Sequence, residues 1–477
     1  MHTTIFLLTL PKPQIQIQMR KIVLATIFAL ALASCTDYPK VESSLPYHVK
    51  DGTIVLDEPS RAPGQESALS MACEPIDTVR IGFIGLGMRG SSAVQRYTWV
   101  DGIKIVAICD LLPERVEKAN KGLEERGFPR AAGYSGEEGW KELCDRDDID
   151  LVYIVTPWEL HTPISLYALE HGKHVACEVP SMLSVKDCWD IVDACERTRK
   201  HFMMLENRCY NQFYLAALNM AKHGLFGEIY HAEGCYIHNL DAIWPQYYNN
   251  WRLEYNQAHA GDNYPTHGIG PVCQLLDIHR GDRMTRLVSM DTGSFHGAEL
   301  ARESMGTDEF AEGDHTVTLI RTERDHQIQI HHNVYAARPF DRMYEFTGTK
   351  GFATDSPNQE LAFAPNSETF VSKAVRDSLC QVYMHPITAR YDEAARHIGG
   401  HGGMDYTTDS RLIYCLRNGL PLDEDVYDAA EWCCIAELSR ISILSGSMPV
   451  AIPDFTRGDW NKLDGWEPAW APGDAGQ

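Results

Sequence analysis

The sequence predicts an α/β chain in two parts: an N-terminal doubly wound parallel sheet, then a C-terminal α+β domain on an open, mainly antiparallel sheet. Three observations predict it. From Val79 to Leu205, short apolar runs alternate with long helical stretches, the rhythm of a parallel sheet with crossover helices. After Glu206 the rhythm becomes simple alternation, in the runs Gly227 to Ile237, Leu287 to Met290, His315 to Ile320, Gln327 to His332 and Arg342 to Thr347. Strands with one solvated face read this way. Finally, 477 residues exceed one ordinary core, so two domains behind a leader are expected.

The leader comes first. Met19-Arg20-Lys21 is a positive start, and Ile22 to Leu32 is an apolar run of signal-peptide length, too short to span a bilayer. It ends in Leu32-Ala33-Ser34-Cys35, which resembles the bacterial lipobox; a plain signal peptide is the alternative. Residues 1–35 are therefore expected to be a lipoprotein signal peptide, with Cys35 lipidated, the protein exported and translation starting at either Met1 or Met19. Residues 36–78, rich in Pro, Ser, Asp and Glu, read as a tether with an ordered arm. Residues 79–206 form the first domain and 207–477 the second.

Within the first domain, Val79 to Ile84 and Ile103 to Ile108 are strands, and Pro113 to Arg126 is a helix with proline near its start. Leu151 to Val155 is almost wholly apolar, as a strand buried on both faces should be. His174 to Cys177 and Phe202 to Leu205 follow, separated by a helix around Val185 to Arg199. The Trp-, Pro- and Gly-rich tail from Asp459 reads as a surface wrap.

Composition excludes some partners. A net charge of −23 repels nucleic acid and anionic membrane surfaces, leaving a lipid as the only expected membrane contact. The fourteen cysteines show no disulfide spacing, since Cys109 and Cys177 fall in core strands and Cys433-Cys434 is adjacent. His331-His332, His397 and His401 lack partners at ligand spacing, so no metal is expected.

The clearest chemistry is Gly85-Leu86-Gly87-Met88-Arg89-Gly90, which follows a strand and opens a helix. In that context the motif is a dinucleotide cradle of the Rossmann type. Gly85 permits the tight turn, Gly87 the approach of a pyrophosphate, and Gly90 close helix packing. Asp110, twenty residues beyond Gly90 at the end of the second strand, accepts ribose hydroxyls and repels a 2′-phosphate, so NAD is expected over NADP. Thr156 to His161, Glu178-Val179-Pro180 and Asn207 lie after three later strands, at the sheet edge where such folds bind ligands.

These residues resemble the Gfo/Idh/MocA oxidoreductase superfamily, and more narrowly glycoside hydrolase family 109, the NAD-dependent α-N-acetylgalactosaminidases. The specific strings are Thr156-Pro157-Trp158 with His161, Glu178-Val179-Pro180, Tyr264 to Pro271, Gly400 to Asp405, Leu412 to Asp428 and Pro453 to Gly458. The resemblance runs from about Val79 to Trp460. It implies that NAD+ oxidises the sugar C3 hydroxyl, acidifying C2; the C1 substituent is eliminated, water adds, and hydride returns. Paired catalytic carboxylates are then unnecessary. Superfamily dehydrogenases carry Glu-Lys-Pro where this chain has Glu178-Val179-Pro180, and the missing lysine resembles the glycosidase branch. The resemblance further implies that Met88, Arg89, Asp110, Trp158, His161, Glu178, Val179 and Asn207 line the NAD site. It implies that Tyr236, Arg252, Tyr264 and His267 meet the sugar, with His267 the first choice for acid/base work and Tyr264 its partner. Tyr210 reads equally as a site residue or a half-buried core aromatic, and His401 as a ligand contact or a loop residue. One departure stands out: after Arg338-Pro339 the family commonly has Tyr where this chain has Phe340, so a hydroxyl contact is lost or supplied by Tyr335 or Tyr344.

The leading expectation is therefore an exported, lipid-anchored glycosidase acting on N-acetylgalactosamine in a glycan, assembling as a homo-oligomer through its C-terminal sheet. An NAD-dependent sugar or polyol dehydrogenase is the alternative; a sugar-binding lipoprotein that holds NAD without turnover is the third reading.

Overall fold

The computed structural model describes residues 40–474. The expected leader, its lipidated Cys35 and the choice of start codon lie outside the described residues. Where composition reads as a tether, the chain from Glu42 onward is packed. Strands β1 (Tyr47–Lys50) and β2 (Thr53–Leu56) form a hairpin. Upstream of it, the buried carboxylate of Glu437 accepts hydrogen bonds at 2.6 Å from Ser44 N–H, Ser44 Oγ and Val185 N–H. Downstream, Arg61 grips Glu196 with two bonds of 2.9 and 3.0 Å. Specific hydrogen bonds order a segment too polar to build its own core.

The first sheet is parallel as expected, with one edge strand, Ala132–Ser135, beyond the five expected. Strands β3 (Val79–Ile84), β4 (Ile103–Asp110), β5 (Ala132–Ser135), β6 (Leu151–Ile154), β7 (His174–Cys177) and β8 (Phe202–Met204) lie in the order β5-β4-β3-β6-β7-β8, all parallel. Order reverses between β3 and β6, which opens the ligand crevice at their carboxyl ends. Every residue of β6 and β7 is buried, which is why those runs carry no surface alternation.

The second sheet holds β9 (Ile229–Ile237), β10 (Met284–Asp291), β11 (Thr316–Thr322), β12 (Gln327–Asn333), β13 (Glu345–Gly348), β14 (Gly351–Thr354), β15 (Glu360–Phe363) and β16 (Val450–Ala451). With the hairpin it runs β1-β2-β16-β10-β11-β12-β9-β13-β14-β15. Pairing is antiparallel except for β12 with β9 and β16 with β2. Ile320, Ile328 and Ile330 point into the core while Leu319 and Arg321 face out, the alternation of a sheet covered on one side.

The helix Val426–Leu444 packs both on the helix Val185–Thr198 of the first domain and on β10 of the second sheet. A reciprocal cap between Asp425 and Asp428 starts it. The tail is more than a wrap: Trp466 is buried and its indole donates to Asp423 O at 2.8 Å. All thirteen described cysteines are free, and only Cys73 and Cys380 are not buried. Among the described residues, no helix is long and apolar enough to cross a membrane.

Candidate active site

The cradle's three glycines divide the labour. Gly85 has φ +94°, and a Cβ there would lie 2.5 Å from Val155 O. A Cβ on Gly90 would lie 1.9 Å from Gly85 O, so the helix Met88–Tyr97 rests directly on the turn. At Gly87 the nearest neighbour would be Arg115 Nη1 at 3.7 Å. Protein fills the space at the first and third positions and leaves it clear at the second, as a pyrophosphate at a helix N-terminus requires. Asp110 accepts from Leu86 N–H at 2.6 Å and Leu112 N–H at 2.9 Å, tying the turn to the end of β4. Arg115 stands 3.5 Å from the same carboxylate.

Met88, exposed, and Arg89 follow at the helix start. Arg89 reaches across the crevice, donating to Glu178 at 2.7 Å and to Asp405 at 3.0 Å, with His401 Nδ1 at 3.2 Å. Asn207 donates to the other oxygen of Asp405 at 2.5 Å. Burial alone would raise the Asp405 carboxyl, but the hydrogen bond with His401 and the guanidiniums of Arg89 and Arg96 outweigh it and hold the group well below the usual carboxylate range. Arg89, Glu178 and Asn207, expected on the cofactor side, thus share one network, and His401 belongs to it. Val179, buried, precedes Pro180 through a cis peptide bond. His161 has another job: its two ring nitrogens lie 2.8 Å from Pro180 O and Thr156 O, clipping two strand-end loops together.

Backbone contact also brings together the residues expected to meet a sugar. A Cβ on Gly234 of β9 would lie 2.1 Å from Gly268 O, so the helix Thr266–Leu275 touches the strand itself. That contact sets His267, in the first helical turn, against Tyr236, with ring centroids 5.4 Å apart. Tyr264 completes the group, 4.5 Å from the Tyr236 ring and 5.0 Å from His267. Arg252 is buried in an aromatic cage, 4.8 Å from the rings of both Trp158 and Tyr264, and donates to Tyr247 Oη at 2.7 Å.

Beneath His267 lies a residue that sequence reading missed as functional. Glu206, fully buried, stands just past β8, and its Oε1 is 2.6 Å from His267 Nδ1. Burial outweighs that carboxylate and pushes His267 down to about 4. Burial opposes ionisation of Glu206 too, yet His267 and the Arg208 amide hold it below the ordinary value. At neutral pH the pair is therefore a neutral imidazole donating Nδ1–H to a carboxylate, with Nε2 left as a base. The available signal was positional: Glu206 ends one parallel strand as Glu178 ends its neighbour.

One expectation changes. Tyr210 does not join the cluster; its hydroxyl donates to Asp423 at 3.2 Å, inside a buried pair with Arg411. Of the two tyrosines offered for the hydroxyl lost at Phe340, Tyr335 donates to buried Glu312 and Tyr344 stacks on Tyr214 at 4.0 Å. Phe340 itself is 54% exposed, 3.7 Å above the Arg342 guanidinium and 5.1 Å from His238. Elsewhere, His279, Asp425 and Asp428 converge at metal-ligand distances. Arg280 already binds both oxygens of Asp428 at 2.9 and 2.7 Å, and the surrounding carboxylates hold His279 at about 10 against its burial. Two cations neutralise that cluster.

Known proteins match this arrangement in both parts. Residues 79–206 match the family described as oxidoreductase family, NAD-binding Rossmann fold, and residues 210–462 match the glycosyl hydrolase 109 C-terminal domain. Glycosyl hydrolase family 109 protein 1 of Phocaeicola vulgatus is 51% identical over 457 residues, covering 92% of this chain and 96% of that protein. The Porphyromonas gingivalis family 109 protein is 53% identical over 435 residues, covering 88% and 93%. In fold, the chain is similar to a levoglucosan dehydrogenase solved with NADH and levoglucosan, at a TM-score of 0.61 and 19% identity over 79% of this chain and all of that one. An NAD-binding oxidoreductase from Klebsiella pneumoniae aligns with a TM-score of 0.62 and 17% identity over the same shares. With an NAD-binding Rossmann domain and a matching C-terminal domain in one chain, this protein belongs to glycosyl hydrolase family 109.

Proposed function

We propose that this chain is an exported glycosidase releasing terminal N-acetylgalactosamine by oxidation, elimination, water addition and reduction, with no net consumption of NAD. The observation that carries the reading is the Glu206–His267 pair beside Tyr264, in a crevice where Val179 occupies the place of a dehydrogenase lysine. When bound, NAD supplies reversible hydride acceptance from the sugar. The chain's own residues do the rest. His267 takes a proton at Nε2, and Glu206 holds the imidazolium through Nδ1–H. Burial raises the Tyr264 hydroxyl well above its ordinary value, so it stays protonated and donates to a sugar oxygen. Arg252 anchors further sugar oxygens, while Trp158 and Tyr236 wall the site from water.

The test is incubation of NAD-loaded protein with aryl N-acetylgalactosaminides in D2O. Aglycone release with deuterium at C2 and no net NADH is expected. Net NADH without aglycone release would make the protein a dehydrogenase, and no turnover of any sugar would make it a binding protein.

Two further expectations belong to this reading. The Leu32-Ala33-Ser34-Cys35 string supports a lipid anchor on the periplasmic or cell-surface side; labelled fatty acid should enter the wild type and not Cys35→Ala. The outer face of the second sheet carries Met290 and Leu319, 66% and 40% exposed, on paired strands β10 and β11. It supports a homo-oligomer, which light scattering of Leu319→Lys against wild type would test.

A further inference from the structure

Five arginines are buried among the described residues: Arg96, Arg252, Arg280, Arg342 and Arg411. Three sit on carboxylates, Arg96 on Asp409 at 2.6 Å, and Arg280 on Asp428 and Arg411 on Asp423 at 2.7 Å each. That is the ordinary condition of a buried charge. Arg252 and Arg342 are the exceptions. Neither forms an ion pair, and the Nε of each finds no hydrogen-bond partner. Both flank the same ring: Tyr236 lies 5.9 Å from the Arg252 guanidinium and 4.4 Å from that of Arg342.

Arg342 is held only by backbone, donating to Asp341 O at 3.1 Å and Ile237 O at 3.5 Å, and it is sandwiched between Tyr236 and the exposed ring of Phe340. Burial without a counter-charge pushes its guanidinium down to about 10, and burial and the two arginines push neighbouring His238 down to about 4. A protein with a net charge of −23 thus keeps two uncompensated cations at one crevice. Low-dielectric walls of that kind concentrate the field on an incoming anion. For a sugar held beside Tyr264, charge developing on the ring during elimination would face Arg252, 4.8 Å from the Tyr264 ring. Arg342, as buried as Arg252, lies under the half-exposed ring of Phe340, which would face a substituent of the sugar.

We propose that Arg342, with Arg252 behind it, is an anion-binding subsite and that the natural substrate is a hexosamine bearing a sulfate ester or a neighbouring carboxylate. This rests on the sugar-site reading above. The test is calorimetric titration of the NAD-loaded full chain with N-acetylgalactosamine, its 4-sulfate, its 6-sulfate and an N-acetylgalactosaminyl–uronic acid disaccharide. At least one anionic sugar should bind tenfold or more tightly than the neutral one at low salt, and which one identifies the anion. In Arg342→Gln that ratio should fall to within twofold, a ratio being insensitive to partial loss of folded protein. Equal binding of neutral and anionic sugars, or a preference that survives in Arg342→Gln, would overturn the subsite. Absence of binding by every sugar, the neutral one included, would instead overturn the sugar-site reading itself.

Discussion

Replacing Glu206 with glutamine removes one charge from beneath His267 and little else, since the two side chains are nearly isosteric. The carboxylate accepts Nδ1–H at 2.6 Å from a fully buried position. Its value to catalysis is greatest when Nε2 has taken a proton and the imidazole is charged. A buried hydrogen bond to a charged group contributes about 1.5–3 kcal/mol, and each 1.4 kcal/mol is about tenfold in rate. The expected loss in kcat is therefore roughly 10- to 100-fold, with NAD retention unchanged because the cradle is untouched. The amide can also turn its NH2 toward Nδ1, which moves the ring proton to Nε2 and deepens the loss. The assay is kcat and kcat/KM on an aryl glycoside across pH. Glu206 raises the His267 pKa against the downward pull of burial, so removing it should shift the acid limb of kcat/KM to lower pH as the plateau falls. A merely structural glutamate would not move that limb. A variant with kcat within twofold of wild type and an unshifted acid limb would refute the positioning role.

Gly87→Ala should weaken NAD binding while leaving thermal stability close to wild type, because the added methyl meets only Arg115 Nη1, at an ordinary contact distance of 3.7 Å; Gly90→Ala, facing Gly85 O at 1.9 Å, should lower the melting temperature as well. Differential scanning calorimetry with and without NAD separates the two. His279, held at about 10 by Asp428 and Asp425 despite its burial, contributes stability that is complete below its unfolded value near 6.5 and is lost as pH rises through 10. His279→Gln should therefore flatten the alkaline arm of the stability–pH profile, and an unaltered arm in denaturant titrations at pH 7 to 10.5 would remove His279 from that account.

What the sequence disclosed follows the range over which each constraint acts. Gly85 and Gly90 are local requirements of one turn, and the apolar runs of β6 and β7 report burial strand by strand, so cradle and first sheet were legible. Tyr264 and His267 were legible only through resemblance, since nothing local distinguishes a site tyrosine from a core one. Tyr210 illustrates this, its hydroxyl being committed to Asp423. Glu206 and Asp405 were missed as site residues because their partners are distant, His267 lying 61 residues from Glu206 and Arg89 lying 316 from Asp405. Arg342 was hidden for the opposite reason: its significance is a missing partner, which only three dimensions display. An ordered arm was legible, but not its extent, because its composition is that of a linker while its order comes from distant partners: the carboxylates of Glu437 and Glu196, the pairing of β2 with β16, and burial of Ile54 and Leu56.

The helix Val426–Leu444 packs on both domains at once, and this limits how the molecule can move or be divided. A hinge between the two domains would have to tear that helix from one of its two beds, exposing side chains that are buried along nearly its whole length. Opening and closing are therefore expected to come from loops rather than from domain rotation, with the distance between the Gly87 cradle and His267 little changed. For the same reason, residues 79–206 excised alone would present the bare flank of the helix Val185–Thr198 to water, and the two parts should melt in a single transition.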